Sequence, residues 1–193
     1  RVEPNFEMYW EDEIPKISSN LNGNKNVQVE IITGDYLDFS SPIAPKNSWA
    51  SNKKNDVAVW IIRLGRNGKF ALNDTKSGAK RNLYVLKGSN MEIDGQSISG
   101  GSMVTLDSSK NTVIKNLGSK TKILMLQGVP INEPVVKYGP FVMNTRSEIE
   151  QAFYDYNRTE FGGWKWGNSD PVHGTEPEKF AKLISGKIIK PRK

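Results

Sequence analysis

The chain has 193 residues, 36% hydrophobic and 25% charged, enough for one large domain with appendages and a sizeable buried core. Its 27 Lys and Arg against 21 Asp and Glu leave a net charge of +6, compatible with acidic partners but diagnostic of none. Without cysteine and with one histidine, His173, the sequence excludes disulfides, thiolate chemistry and a multi-histidine metal site, and no apolar run reaches the roughly 20 residues that span a bilayer.

Residues 1–26 read as a linker segment. Glu3, Glu7, Glu11, Asp12 and Glu13 alternate with Phe6, Tyr9 and Trp10, which suits a stretch docked through its aromatics, and Asn20 to Asn26 is a turn-rich loop. The first residue is Arg1 rather than Met, which is read as a processed precursor, a proteolytic product or a shortened chain.

From Val27 the pattern changes to alternation. Val27, Val29 and Ile31 share one face with Gln28 and Glu30 opposite, the period-2 mark of a half-buried strand. Comparable runs occupy 57–64, 82–86, 89–93, 103–106, 112–116 and 122–126, separated by Asn67-Gly68, Lys87-Gly88, Asp94-Gly95, Gly100-Gly101 and Gly118. Short strands at this spacing predict an antiparallel β-sandwich or barrel rather than a sheet alternating with helices.

Thr145 with Glu148 three residues on forms a capping box, and Ile149, Ala152, Phe153 and Tyr156 follow as an apolar stripe. This spacing predicts one helix over 145–159. The remainder, rich in Pro and Gly, predicts an irregular arm whose last 15 residues carry six bases and no acid. The expected division is therefore a linker over 1–26, a β domain over 27–144, and a helix with a C-terminal arm over 145–193.

The candidates for chemistry are few. The strand, Gly88, strand, Asp94-Gly95 arrangement resembles small jelly-roll domains of the cupin type. A metal-binding cupin places two His and a Glu just before this strand pair and a further His on a later strand. Residues 69–81 and 112–126 contain no histidine, so the barrel interior is expected to hold no metal. His173 beside Asp170 reads as a turn residue in a Pro/Gly segment more readily than as an acid–base pair. Nine bases between Lys46 and Arg81, with Trp49 and Trp60 nearby, would suit a nucleic-acid or acidic-protein surface, but read first as solvated loops. Direct binding of nucleic acid is therefore disfavoured.

One block is more specific. Gln127-Gly-Val-Pro-Ile-Asn-Glu-Pro-Val-Val-Lys-Tyr-Gly-Pro-Phe-Val-Met-Asn-Thr145, the helix after it, Phe161-Gly-Gly-Trp-Lys-Trp166 and Asp170-Pro-Val-His-Gly174 closely resemble the signature of the pirin family. Region 27–126 is similar to that family's second cupin domain, and residues 2–15 to its interdomain linker. The resemblance implies a bicupin in which an N-terminal cupin binds iron through three His and a Glu while the C-terminal cupin lacks metal. No position of this chain matches those ligands.

Its cofactor expectation is thus none in this chain, with Fe confined to the N-terminal cupin of complete family members. The function implied is that of a non-catalytic cupin portion acting as a protein-interaction or scaffold domain, in a family that resembles iron-dependent transcriptional co-regulators. Two alternatives are part of a quercetin 2,3-dioxygenase-type oxygenase whose metal cupin lies elsewhere, and a metal-free structural subunit of a larger assembly. Catalysis is expected only together with an N-terminal metal cupin.

The partner expected is another protein chain or an N-terminal cupin domain, with a homodimer as the alternative and no membrane span. The resemblance places the chain in nucleus or cytoplasm, and its non-Met start admits an organelle. The structural and interaction residues expected are Asn132, Glu133, Pro134, Gly139, Pro140 and Phe141, in a pre-organised loop leading to the helix, together with Trp164 and Trp166. Glu133 is expected to accept from backbone N–H groups or from an Arg or Lys. Phe6, Tyr9, Trp10, Phe161, Trp164 and Trp166 are expected to be covered by another chain, a second copy or the arm.

Overall fold

A computed structural model describes residues 6–18, 26–75, 77–163, 167, 178–183 and 185–191. Trp164, Trp166, Asp170 and His173 lie outside the described residues. Two compact units are present, one formed by 1–130 with 191–193 and the other by 131–190.

In the first unit the strands are β1 (Lys16–Ser18), β2 (Val27–Thr33), β3 (Asp35–Tyr36), β4 (Phe39–Ser40), β5 (Ala58–Gly65) and β6 (Lys69–Leu72). They continue as β7 (Lys80–Lys87), β8 (Met91–Ile93), β9 (Gln96–Ile98), β10 (Met103–Leu106), β11 (Thr112–Asn116) and β12 (Lys120–Gly128). Six form a sheet in the order β1-β2-β5-β12-β7-β10, and four form a second in the order β6-β11-β8-β9, with every neighbouring pair antiparallel. The antiparallel β-sandwich expected from the alternation is present, with the cupin type that the resemblance implies.

The alternation decides which faces meet. Val29, Ile31, Ile62, Leu64, Leu83, Val85, Ile123 and Met125 of the large sheet are all buried, and Phe70, Leu72, Met91, Ile93 and Ile114 of the small sheet join them in one cluster. Each such side chain removed from water contributes roughly 1.5–3 kcal/mol. Tyr36 lies edge-on to Trp60, with ring centroids 5.0 Å apart, and 5.6 Å from Phe70.

At one end of the sandwich Asn116, fully buried, satisfies its amide completely. Its Nδ2 donates to the carbonyls of Leu64 and Gly65 at 3.0 and 2.9 Å, while Oδ1 accepts from the Gly118 N–H and the Thr121 hydroxyl, both at 3.0 Å. Three strands and a turn are thereby tied together. Gly88, at φ +146°, could carry no side chain here, because a Cβ would lie 2.6 Å from Thr121 Oγ1.

The segment read as a linker also contributes to this unit. Ile17, its buried apolar residue, draws β1 onto the edge of the large sheet against β2. Linker composition missed this because three residues give almost no periodicity.

The second unit contains β13 (Val136–Tyr138), β14 (Phe141–Met143), α1 (Arg146–Thr159), and the short pair β15 (Ala181–Lys182) and β16 (Ile188–Ile189). The capping box forms as read: Thr145 Oγ1 accepts from the Glu148 N–H, and the Glu148 carboxylate accepts from the Thr145 N–H at 2.9 Å. Ile149 and Ala152 of the apolar stripe are buried and Phe153 is half-buried, but Tyr156 is exposed. The units divide before Ile131 because the β13–β14 hairpin packs on α1.

Candidate functional site

Three places in the described residues bear on function. The first is the interior of the sandwich. The registers stack its large-sheet residues in layers: Ile62–Ile123–Val85, then Trp60–Met125–Leu83, then Ala58–Gln127–Arg81. The third layer is polar. Arg81 is only 4% exposed, and its guanidinium donates through Nε to Gln127 Oε1 at 2.6 Å and through Nη1 to the Asn73 carbonyl at 2.9 Å.

Gln127 passes the connection on, donating from Nε2 to Asp56 Oδ1 at 2.9 Å. Asp56 Oδ2 accepts from the Thr75 hydroxyl at 2.5 Å and the Ser77 hydroxyl at 2.6 Å. Burial pulls the Arg81 guanidinium below its ordinary pKa, while the charges of Asp56 and Asp74 oppose that pull. An arginine remains cationic through such a shift.

The residues of this interior do not fit an iron ion, which the resemblance implies only for an N-terminal cupin. A fixed guanidinium occupies the polar layer, so a metal cation there would meet like charge. No group of three or more His, Cys, Asp or Glu that could hold a metal occurs among the described residues.

The second place is a cleft of about 640 Å³ between the β3–β4 hairpin and the turns preceding β5. Gly34, Asp35, Ile43, Lys53 and Asp56 contribute to its wall. Lys53 Nζ lies 3.1 Å from Asp35 Oδ2. The Asp35 carboxyl is held below its usual range, first by the Ser40 hydroxyl and then by Lys53, against the effect of burial. The basic stretch 46–81 therefore does not form one continuous cationic surface: Lys53 is paired, Arg63 pairs with Glu30 at 2.6 Å, and Arg81 is buried.

The third place is the segment 131–145 of the second unit. Asn132 adopts a left-handed conformation at φ +56°, and the Gly139-Pro140 pair turns the β13–β14 hairpin with Gly139 at φ +54°. Pro134 precedes the hairpin, and both prolines fix φ and restrict their predecessors. Glu133 Oε2 accepts from Asn144 Nδ2 at 2.5 Å. The donor is a side-chain amide, not the backbone N–H or cation expected.

Phe141 is the centre of an aromatic group. Its ring lies 4.9 Å from Phe153, 6.2 Å from Tyr156 and 6.0 Å from Phe161, and Tyr138 lies 5.6 Å from Phe153. Such edge-to-face pairs contribute about 0.5–1.5 kcal/mol each beyond burial. Around this group much apolar surface remains open to solvent: Val135 is 65% exposed, Tyr138 66%, Val142 58% and Phe161 63%.

Of the six aromatics expected to be covered, Phe6 and Phe161 are exposed, while Tyr9 and Trp10 are half-buried. Tyr9 donates its hydroxyl to the Ile43 carbonyl at 2.5 Å. Trp164 and Trp166 fall outside the described residues.

Comparison with known proteins bears on this architecture. The model of the pirin C-terminal cupin domain matches residues 59–162. A Vibrio cholerae protein that carries quercetin 2,3-dioxygenase as a provisional name is 33% identical over 73% of this chain and 44% of its own length. Human pirin is 26% identical, over 83% of this chain and 52% of its own. The crystal structure of a quercetin 2,3-dioxygenase from Acinetobacter baumannii superposes with a TM-score of 0.63 at 28% identity, covering 78% of this chain and 48% of that one. The chain spans about half the length of the curated relatives it matches. The matched stretch runs from the second residue of β5 through the signature loop and the capped helix, more than half of the chain, and the chain belongs to the pirin family.

Proposed function

We propose that this chain is a metal-free cupin half that acts as a protein-interaction or scaffold domain rather than as an enzyme by itself. The exposed apolar face of the hairpin–helix unit where Tyr138 and Phe161 border Phe153 and Phe141 carries this reading. Aromatic side chains of this kind dominate interface energetics, and contiguous apolar surface is uncommon on isolated proteins. The occupant of that face is a second protein chain or cupin domain, with Tyr138 and Phe161 as its anchors. Asn132, Glu133, Pro134, Gly139, Pro140 and Phe141 act as the frame that holds the face, and Trp164 and Trp166 belong to the same functional segment.

Sedimentation of the purified chain, alone and mixed with the domain of the Vibrio cholerae relative that lies outside the match, tests the interaction. Association with itself or with that domain is expected, and Y138S/F161S should abolish it. A chain that stays monomeric in both settings overturns the interaction reading.

The second reading, part of a quercetin 2,3-dioxygenase, draws on the names of the relatives. On the proposed reading the chain alone neither retains iron nor consumes quercetin. Stoichiometric iron in the purified chain, or oxygen uptake with quercetin, would favour the enzyme instead.

A further inference from the structure

At the end of the large sheet remote from Arg81, a groove of about 500 Å³ lies over the strands β5, β12 and β7. Its cations are arranged in one row. The register sets Lys122 of β12 directly opposite Arg63 of β5 on one side and opposite Lys87 of β7 on the other. Gln28 continues the row onto β2, opposite Arg63. Lys120 enters the same groove two residues before Lys122. No acid is found among its described lining residues.

The row is built by a local irregularity. The β12–β7 pairing shifts register between Lys122 and Ile123, so that Ile123 faces Val85 but Lys122 faces Lys87 rather than Leu86. Irregularities of this kind re-aim a side chain. Here the shift sets one lysine against another. Like charges directly opposite each other across strands are destabilising. Glu30, at 2.6 Å, compensates Arg63, and no carboxylate within salt-bridge distance of Lys87, Lys120 or Lys122 occurs among the described residues.

The floor under the row is rigid. Leu64, Gly65 and Thr121 line the groove, and three of the four hydrogen bonds of Asn116 hold them. The rim adds neutral donors. Gln28 donates to Ser18 Oγ at 3.2 Å, and Asn26 donates to the Arg66 carbonyl at 2.8 Å.

From these features we propose that the groove binds the phosphate groups of a small polyphosphate-bearing ligand, with Lys87, Lys120 and Lys122 neutralising its charge and Arg63 supplying further N–H donors. Lysine meets phosphate as a compact charge and arginine as a planar fork, so the set suits adjacent phosphates. Neighbouring strands lie about 4.8 Å apart, so the Arg63–Lys122–Lys87 row extends over roughly 10 Å of sheet. The groove volume falls within the range of small-ligand sites, about 300–1,000 Å³.

Calorimetric titration of the whole chain with inorganic tripolyphosphate tests the site. Saturable one-site binding is expected, weakened about tenfold or more by K87Q/K122Q. The same number of charges removed in the second unit by K137Q/K179Q should leave it unchanged. A second readout adds a measurement without ligand: K122Q should raise the melting temperature of the free chain, and it should reduce the rise that tripolyphosphate produces. Equal binding by wild type and K87Q/K122Q overturns the proposal, as does equal loss in both double variants. A single-stranded oligonucleotide of about ten nucleotides binding far more tightly than tripolyphosphate through the same lysines would overturn the small-ligand assignment in favour of nucleic acid. None of these outcomes depends on the apolar face of the hairpin–helix unit.

Discussion

The two ends of the large sheet handle positive charge in opposite ways. At the end marked by Ala58, Gln127 and Arg81, one guanidinium is buried inside the sandwich and bonded to Gln127 and the Asn73 carbonyl, with Asp56 reached through Gln127. At the other end, Lys87 and Lys122 face each other on the outer surface without a carboxylate between them. The first cation is consumed by the fold, because a buried charge persists only when its hydrogen bonds are met. The second pair costs the fold stability and leaves its charge available. Burial alone separates a structural cation from one free to bind, although the residue types are nearly the same.

The largest effect is expected at the buried end. R81M leaves Gln127 Oε1 and the Asn73 carbonyl without their donor and removes an opposing charge that Asp56 meets. Each of the two hydrogen bonds lost from this buried, charged donor is worth about 1.5–3 kcal/mol. Chemical denaturation should show that loss, and R81K should recover little of it because an ammonium lacks the fork. A loss well below 1 kcal/mol would mean that the network is not structural, and the contrast between the two ends would fail.

Next in size is the knot beneath the groove. N116A removes two bonds to strand carbonyls and two from Gly118 and Thr121 in a fully buried setting. Each polar group left unpaired costs about 1–3 kcal/mol, and water entering the space recovers part of it. Amide exchange should accelerate at Gly118 and Thr121 first. An unchanged exchange pattern would show that the floor does not depend on Asn116.

K122Q should act in the opposite direction. Relieving the contact with Lys87 is worth about 0.2–1 kcal/mol, which should appear as a small gain in stability at low salt that shrinks as salt is added. A loss instead would mean that Lys122 is compensated, and the asymmetry between the two ends would fall.

The inner half of this contrast was legible in the sequence, and the outer half only in part. Alternation assigned Val27, Val29 and Ile31 to one face, and all are buried. The same phase, counted back from Val85 through Leu83, places Arg81 inside. The sign of its charge hid that, because charged residues are rarely buried unless paired. Its partners Gln127 and Asp56 come from distant parts of the chain, so sequence spacing could not reveal them. The row of Arg63, Lys122 and Lys87 was hidden for a related reason: it depends on a register shift in one strand pair, and no single-strand pattern encodes that. The helix and its cap, by contrast, are local. Thr145 and Glu148 lie within one turn of each other, and the chain folds there as the pattern says. The signature loop is legible by resemblance, but the acceptor role of Glu133 toward Asn144 spans 11 residues and depends on how the hairpin folds back.

The smallest effect sharpens the contrast at a third charge, one met entirely at the surface. Asp107 sits in the turn between β10 and β11, where its Oδ1 accepts from the Ser109 N–H at 3.1 Å and hydroxyl at 2.6 Å, and Oδ2 lies 3.0 Å from Lys110 Nζ. The Ser109 hydroxyl first, then Lys110, then the Ser109 N–H lower its carboxyl pKa to about 2. A folded pKa below the unfolded one means that the native state holds its proton less tightly, so the ionised turn favours folding. That contribution is complete above the unfolded value of 3.8 and fades as the pH falls through about 2. Carboxyl NMR titration should place the Asp107 midpoint near 2, and D107N should flatten the acid limb of the stability profile slightly in that window alone. Because the turn is exposed, solvent screens these bonds and the change should be small beside that of R81M. A midpoint at the ordinary 3.8 would show that local hydrogen bonds at the surface leave the carboxylate unperturbed, and that burial is required before this fold commits a charge to its structure.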